Sequence, residues 1–501
     1  MLHALSEIAA KFRTRLGESL ASIQGHNAPL DEATTPSLEA LKAFSAGRKA
    51  IATNGDIAAV PLFKRAAEID PKFAMAYAFR GLTTASIGES AVAVEYISKA
   101  YQLRDRGSEA EKFFITTSYE AQVTGNLERA QASCEAWART YPRDSVPLTF
   151  LAGMIYPTLG EFEKGAEAAE KAILLEPDFS IPYYQLSFHY QYLNRFDESL
   201  KAVKRATARK LQHPGLLFQR YNLAFLKGDL AGMQREAALA RGNPAAEDWM
   251  ADQETFVLAY AGHLAQAAQM SQRAADLAQR AGKPESAAAD GAGTAIWQAL
   301  FGNAPAARRG ATAALALSKA RDVEYGVAFA LAVAGDSAAA QTLANDLEKR
   351  FPEDTSVRSS YLPTLRARLA LNHGEPAKAI ELLQSAVARE LGTPASQADG
   401  FYGGLYPVYV RGEAYLATHQ GAEAAAEFQK LLNHRSIVVS DPIGALAHLQ
   451  LGRALAMAGQ TAKAKAAYSD FLALWKDADA GLPILQQAKA AYESSSPVGA
   501  R

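Results

Sequence analysis

The chain has 501 residues, 49% of them hydrophobic, which is more core-forming material than one compact domain usually holds. Its 52 Lys and Arg residues nearly balance 53 Asp and Glu residues. The resulting net charge of −1 gives no electrostatic case for binding nucleic acid or an anionic membrane. A single cysteine excludes an intrachain disulfide framework.

The first 37 residues predict a helix and a linker. Apolar residues recur at helical spacing over 1–24, with basic residues between them. This helix could lie on a membrane surface or pack on the first repeat, and Glu7 and Glu18 favour packing because they dilute the basic face. We find no signal-peptide pattern and no apolar run of membrane-spanning length, so the sequence as written predicts a cytoplasmic protein. A polar linker, 25–37, ends at Ser37, which is predicted to cap a helix beginning near Leu38.

The middle of the chain repeats itself at an offset of 34 residues, a period typical of helix–turn–helix solenoids. Gly160 and Asn194 fall in the turn between two helices, where a left-handed backbone costs little, and Pro177 follows the second helix. The residues that superimpose when 145–177 is moved forward are Tyr156 on Tyr190, Leu159 on Leu193, Phe162 on Phe196 and Ala172 on Ala206.

These landmarks resemble the tetratricopeptide repeat (TPR) family. The resemblance implies an all-α fold, a TPR-like α-solenoid in which about twelve antiparallel helix hairpins form a right-handed superhelix. We predict an N-terminal array over 38–241, a degenerate C-terminal array over 242–480, and a capping helix with a disordered tail over 481–501. Further turns recur at Gly88, Gly125, Gly228, Gly262, Gly302, Gly335, Gly374, His419–Gly421 and Gly459.

Two segments depart from the repeat pattern. Leu391–Gly404 is a long loop rich in Gly, Ala and Pro, and His434–Pro442 contains the β-branched run Ile437–Val439 between two helices. Both could be functional loops, since long loops in compact arrays often are. The alternative, which we favour, is that they pack along an edge of the solenoid.

The sequence shows no constellation of catalytic residues. Glycine-rich phosphate loops are absent, and the nine histidines are scattered without the spacing of a metal site. Cys134 aligns with core positions of second helices, namely Phe63, Ile97 and Ala169, so we predict a packed thiol. We therefore expect a protein that is not an enzyme, with no catalytic, cofactor-binding or metal-binding residues.

The first helices of the hairpins predict a groove for a protein or peptide partner. In the TPR family, repeat positions 2, 5, 9 and 12 point into the concave surface, and this register implies an aromatic row with a few polar groups. An error of one residue in register would instead make the row inter-repeat core. The predicted groove residues are Phe150, Met154, Ile181, Tyr184, Phe188, Gln191, Phe218, Asn222 and Phe225. A second, more polar set comprises Tyr361, Arg368, Tyr406, Tyr409, Glu413, Leu449 and Arg453.

Several stretches, including 11–24, 29–47, 223–233 and 441–480, resemble the C-terminal TPR arrays of bacterial receptor-type serine/threonine protein kinases. The kinase motifs themselves are absent, so the resemblance implies no catalytic residue. Two hypotheses follow: a non-catalytic interaction scaffold in bacterial signalling, or the sensor half of a kinase that modulates phosphorylation. In the second case a serine/threonine kinase is a candidate partner, and the array would be extracytoplasmic if it is tethered as in the receptor kinases. Neither hypothesis predicts nucleic acid as a partner.

Overall fold

A computed structural model describes residues 34–393 and 404–494, together with the single positions Ile8 and Lys11. All regular secondary structure within these ranges is helical. Except for those two positions, the predicted N-terminal helix lies outside the described residues, as do most of the linker and the tail at 495–501. The described chain divides into two compact units.

Unit 1 comprises Met1–Leu151 and Lys171–Phe179. Three hairpins of consecutive helices account for most of it, and their core is rich in phenylalanine. Ser37 caps the first helix by accepting a hydrogen bond from the Ala40 N–H at 3.2 Å, as the sequence predicted. The helices are α1 (Leu38–Asn54), α2 (Asp56–Ile69), α3 (Ala74–Ser86), α4 (Ser90–Leu103), α5 (Glu109–Tyr119), α6 (Leu127–Thr140) and α7 (Val146–Phe150).

Unit 2 comprises Ala152–Glu170 and Ser180–Arg501. Its helices begin with α8 (Tyr156–Leu159), α9 (Phe162–Leu175, whose last residues belong to unit 1), α10 (Ile181–Tyr192), α11 (Phe196–Ala208), α12 (Pro214–Lys227), α13 (Leu230–Ala240), α14 (Glu247–Tyr260), α15 (Leu264–Arg280), α16 (Pro284–Leu300) and α17 (Ala304–Leu317). They continue with α18 (Arg321–Val333), α19 (Ser337–Arg350), α20 (Leu362–Asn372), α21 (Pro376–Leu382), α22 (Tyr406–Ala417), α23 (Gly421–Asn433), α24 (Arg435–Val438), α25 (Pro442–Met457), α26 (Thr461–Leu474) and α27 (Pro483–Ser494).

Both units also contain shorter helical turns. Those of π type occupy Glu120–Thr124, Leu151–Ile155 and Val357–Tyr361, and those of 3₁₀ type occupy Arg104–Arg106 and Leu383–Arg389.

Turn residues and small residues explain why consecutive helices fold back on each other. Gly160 and Asn194 have φ angles of 76° and 59°, the left-handed conformation predicted for the turns. Within a hairpin, a glycine of the first helix faces a large side chain 16 residues later, and an added methyl group would overlap that side chain. These pairs are Gly47 with Phe63, Gly81 with Ile97, Gly412 with Phe428, and Gly452 with Tyr468.

The described residues form eleven packed helix hairpins, a turn at Gly160 follows α8 before α9, and α27 is the last helix; this confirms the predicted all-α, TPR-like fold class. The predicted division of the array at residues 241 and 242 falls inside unit 2. That division stays a prediction, based on how well the repeat pattern is preserved. Among the described residues, no helix is both long and apolar enough to cross a membrane.

Candidate partner-binding surface

The predicted groove residues are distributed over both units. Phe150 belongs to unit 1, where its ring packs 5.3 Å from that of Phe114 and 6.1 Å from that of Trp137. Met154 lies on a π-helical turn of unit 2 and is half-buried. The remaining predicted residues all lie on α10 and α12 of unit 2.

The row on α10 and α12 combines half-buried and buried side chains. Ile181, Tyr184, Asn222 and Phe225 are half-buried, and Tyr184 stacks on His213 at 5.4 Å between ring centroids. Phe225 meets the ring of Tyr260 edge-on at 5.3 Å. The three buried members are Phe188, Gln191 and Phe218.

Gln191 is buried where the C-terminal part of unit 2 packs against the ends of α10 and α12, whereas Phe218 packs on Trp249 at 3.4 Å between ring centroids. The Gln191 side-chain N–H donates to the Ser436 carbonyl at 2.9 Å, and the Ser436 hydroxyl donates to the Tyr192 carbonyl at 3.3 Å. Arg435 donates to the Leu226 carbonyl at 3.1 Å. These bonds join residues more than 200 positions apart in the sequence.

A second contact brings the end of α26 to the turn between α14 and α15. The indole N–H of Trp475 donates to the Tyr260 carbonyl at 3.0 Å. Asp479 accepts a hydrogen bond from the Ala265 N–H at 2.8 Å, and its own N–H donates to the Gly262 carbonyl at 3.1 Å. Unit 2 therefore joins its late hairpins to its early ones.

The two sequence segments that depart from the repeat both take part in such contacts. At the start of the first, the Thr393 N–H donates to the Pro157 carbonyl at 3.0 Å, while residues 394–403 lie outside the described residues. The second contains α24, whose Ile437 and Val438 are each 1% exposed. Both segments thus pack along the hairpin turns in the residues that the structure describes.

Two amide oxygens in the row lack a hydrogen-bond partner among the described residues: Oε1 of Gln191 and Oδ1 of Asn222. Each is buried, and a buried acceptor without a donor costs free energy. A carboxamide oxygen can accept a hydrogen bond from a backbone N–H. Each of the two oxygens therefore keeps an unused capacity to accept a hydrogen bond.

The second predicted set is partly core and partly an internal polar network. Tyr361, Tyr406, Tyr409 and Leu449 are buried. Arg368 and Glu413 form an ion pair at 3.0 Å, with side chains 20% and 22% exposed. Burial raises the pKa of Glu413, and the charge of Arg368 opposes that shift. Arg453 donates to Gln450 at 3.1 Å and to Gln487 at 2.9 Å.

Asp441 links this network to the segment that contains α24. Its carboxylate accepts hydrogen bonds from the Tyr406 hydroxyl at 3.1 Å and from the Ile443 N–H at 3.1 Å, which caps α25. Burial raises the pKa of Asp441 to about 7, and the two hydrogen bonds oppose the shift. Burial likewise raises the pKa of Tyr260 to about 12 against the attraction of Arg435.

The thiol and imidazole groups that could act in catalysis are packed into the protein interior. The thiol of Cys134 is buried 3.0 Å from the Pro147 carbonyl, and burial raises its pKa, so the predicted packed thiol is confirmed. His189 is buried against Gly165, and burial lowers its pKa to about 3. Within the described ranges, no group of three His, Cys, Asp or Glu side chains is placed to hold a metal ion.

Sequence reasoning singled out the segment 434–442 but did not predict which residues join the late hairpins to the early ones. Arg435, Ser436, Trp475 and Asp479 do not occupy repeat landmark positions. The β-branched run Ile437–Val439 marked the segment of the first two, because it is an apolar sequence where the repeat provides no core position. Trp475 and Asp479 carry no comparable signal, because they follow a regular second helix.

No family model and no curated protein matches the chain. Solved structures similar to it include the crystal structure of the MamA protein, at 21% sequence identity over 34% of this chain and 91% of that chain, with a TM-score of 0.22. Another is the crystal structure of the APC/C hetero-tetramer Cut9–Hcn1, at 12% identity over 93% of this chain and 95% of that chain, with a TM-score of 0.35. At these TM-scores neither similarity carries an argument, and the fold assignment rests on the hairpins themselves.

Proposed function

We propose that this protein is a non-catalytic scaffold that binds a protein or peptide partner through the row on α10 and α12. The observation that carries the proposal is that the amide oxygens of Gln191 and Asn222 have no partner among the described residues, while Phe225, one turn after Asn222 on α12, keeps a half-buried ring. Apolar anchors supply affinity for a peptide, and amide groups next to them pair with its backbone.

The test uses the double variant Asn222→Ala/Phe225→Ala in the full chain. The first substitution removes a buried oxygen that has no partner among the described residues, and the second removes a half-buried ring. The matched control is Leu230→Ala/Leu239→Ala, which removes two exposed apolar side chains (70% and 61% exposed) from the neighbouring helix α13.

Each protein would be immobilised and incubated with lysate of the source organism, after circular dichroism has shown equal helicity. We expect a partner that the wild type and the Leu230/Leu239 control retain and the Asn222/Phe225 variant loses. Retention of the same partners by all three proteins would contradict the proposed row. Absence of any retained partner would contradict the scaffold function.

A narrower proposal is that the partner belongs to serine/threonine kinase signalling, including the alternative that the array is the regulatory half of such a kinase. Its support is the sequence resemblance, particularly that of residues 441–480. The test is to sequence the genomic region upstream of the gene and to assay the retained partners for protein kinase activity. An in-frame kinase domain or kinase activity among the retained partners would support this proposal. The absence of both would contradict it.

A further inference from the structure

The segment 434–439 lies on α10 and α12 in the manner of a bound peptide. It forms one short helical turn, and two of its β-branched side chains, Ile437 and Val438, enter the buried apolar cluster that also contains Phe188 and Tyr192. Its polar contacts to α10 and α12 all involve backbone carbonyl groups: Ser436 accepts from Gln191, Ser436 donates to Tyr192, and Arg435 donates to Leu226.

These polar contacts, made at the ends of α10 and α12, are of the kind that a bound peptide makes and differ from the packing between neighbouring repeats. Carbonyl groups at the C-terminal end of a helix have no partner within the helix, and the helix dipole favours a cation there. Leu226 lies in the last turn of α12, and Tyr192 is the last residue of α10. The basic side chain and the hydroxyl of the segment therefore donate to these helix-end carbonyl groups, and its two β-branched residues fill the apolar cluster.

The fit of the segment is incomplete and strained. Gln191 uses its N–H on Ser436, but its Oε1 finds no partner among the described residues. Val439 has φ 51° and ψ −112°, a left-handed conformation that β-branched residues rarely adopt. A peptide free of the flanking helices α23 and α25 would not need this conformation.

We propose that residues 434–439 are an intramolecular ligand that covers the partner site, and that partners displace them with a peptide of the same chemistry: a basic residue, a small hydroxyl residue and two β-branched apolar residues. The inference rests on the proposed function and specifies both its partner class and its regulation. Because the segment competes for the site, the apparent affinity for any partner equals the intrinsic affinity multiplied by the fraction of molecules in which the site is uncovered.

The probe is a fluorescein-labelled synthetic peptide with the sequence of residues 433–440, and the control peptide has serine at the positions of Ile437 and Val438. The chain is used at full length as wild type and as the variant Arg435→Ala/Ser436→Ala, which loses two hydrogen bonds of the segment but keeps its apolar side chains. The matched control is Arg308→Ala, which removes an arginine bonded to the Ala334 carbonyl elsewhere in unit 2.

Fluorescence anisotropy should show the variant binding the labelled peptide at least tenfold more tightly than the wild type and Arg308→Ala do. The serine-containing peptide should bind none of them. Equal affinity of a folded variant and the wild type, or equal binding of both peptides, would overturn the proposal.

Hydrogen exchange of the wild type gives a second readout that does not depend on the folding of the variant. Excess unlabelled peptide should accelerate exchange of the amides of residues 434–441 and leave those of α19 unchanged. Unchanged exchange of 434–441 would overturn the proposal. In that case a partner still lost by Asn222→Ala/Phe225→Ala would leave the scaffold function standing, so the two failures are distinguishable.

Discussion

Val439 shows how one residue can be at odds with its local conformation. Its φ and ψ match the first central position of a type II′ turn, which glycine normally occupies. The turn is closed by a hydrogen bond from the Asp441 N–H to the Val438 carbonyl at 3.0 Å. A residue whose backbone is held in such a conformation lowers the stability of the fold by about 1–3 kcal/mol, so the surrounding contacts must hold Val439 in place.

This strain predicts a reversal of the usual order of alanine and glycine. Val439→Ala and Val439→Gly both lose the buried isopropyl group, but only glycine relieves the strain. We expect Val439→Gly to be more stable than Val439→Ala by about 1 kcal/mol. The matched pair is at Val438, which is buried and helical, where glycine should be less stable than alanine by about 1 kcal/mol.

Urea denaturation followed by circular dichroism gives the four free energies of unfolding. If alanine were the more stable substitution at both positions, the backbone at Val439 would not be strained in solution.

The hairpin is the element whose structure follows most directly from the sequence. Its landmarks are local: a left-handed turn residue such as Asn194, a cap such as Ser37, and a glycine that allows two helices to approach. Each depends on residues at most about 16 positions away. The repeat period therefore predicted helix type, hairpin number and turn positions.

Close helix approach within a hairpin can be tested at Gly452. A methyl group there would overlap the ring of Tyr468, so we expect Gly452→Ala to destabilise the protein by about 1–3 kcal/mol. At Gly310, also helical, the nearest heavy atom to an added methyl group is 3.5 Å away. Because alanine favours a helix, Gly310→Ala should be neutral or stabilising by up to about 1 kcal/mol.

Thermal unfolding of the two variants beside the wild type makes the comparison. A Gly452→Ala protein as stable as Gly310→Ala would show that Tyr468 moves aside at little cost and that the small residue is not required.

Whether the candidate site is exposed or covered could not be predicted from such local landmarks. The register correctly placed Phe188, Gln191 and Phe218 on first helices, yet these side chains are buried by contacts with residues far along the chain or on the next hairpin. Which hairpin returns to meet α10 depends on small rotations added over several hairpins. No single stretch of sequence encodes that sum.

Contacts between late and early hairpins change how unit 2 should respond to a mutation. In a linear array each hairpin is stabilised only by its neighbours, so a change near the C-terminus would leave α14 unaffected. Here the indole of Trp475 donates to the Tyr260 carbonyl and is 1% exposed. Trp475→Phe keeps an aromatic ring but removes the donor, which leaves a carbonyl without its bond and costs about 1–3 kcal/mol.

We therefore expect Trp475→Phe to accelerate amide hydrogen exchange in residues 260–267, more than 200 positions earlier in the chain, as well as in α26. The control Phe428→Leu changes a buried ring that packs against Gly412 of its own hairpin, so it should accelerate exchange in α22 and α23 but not in 260–267. Mass spectrometry of peptides after exchange resolves both regions. Unchanged exchange at 260–267 in Trp475→Phe would mean that the late hairpins do not stabilise the early ones in solution.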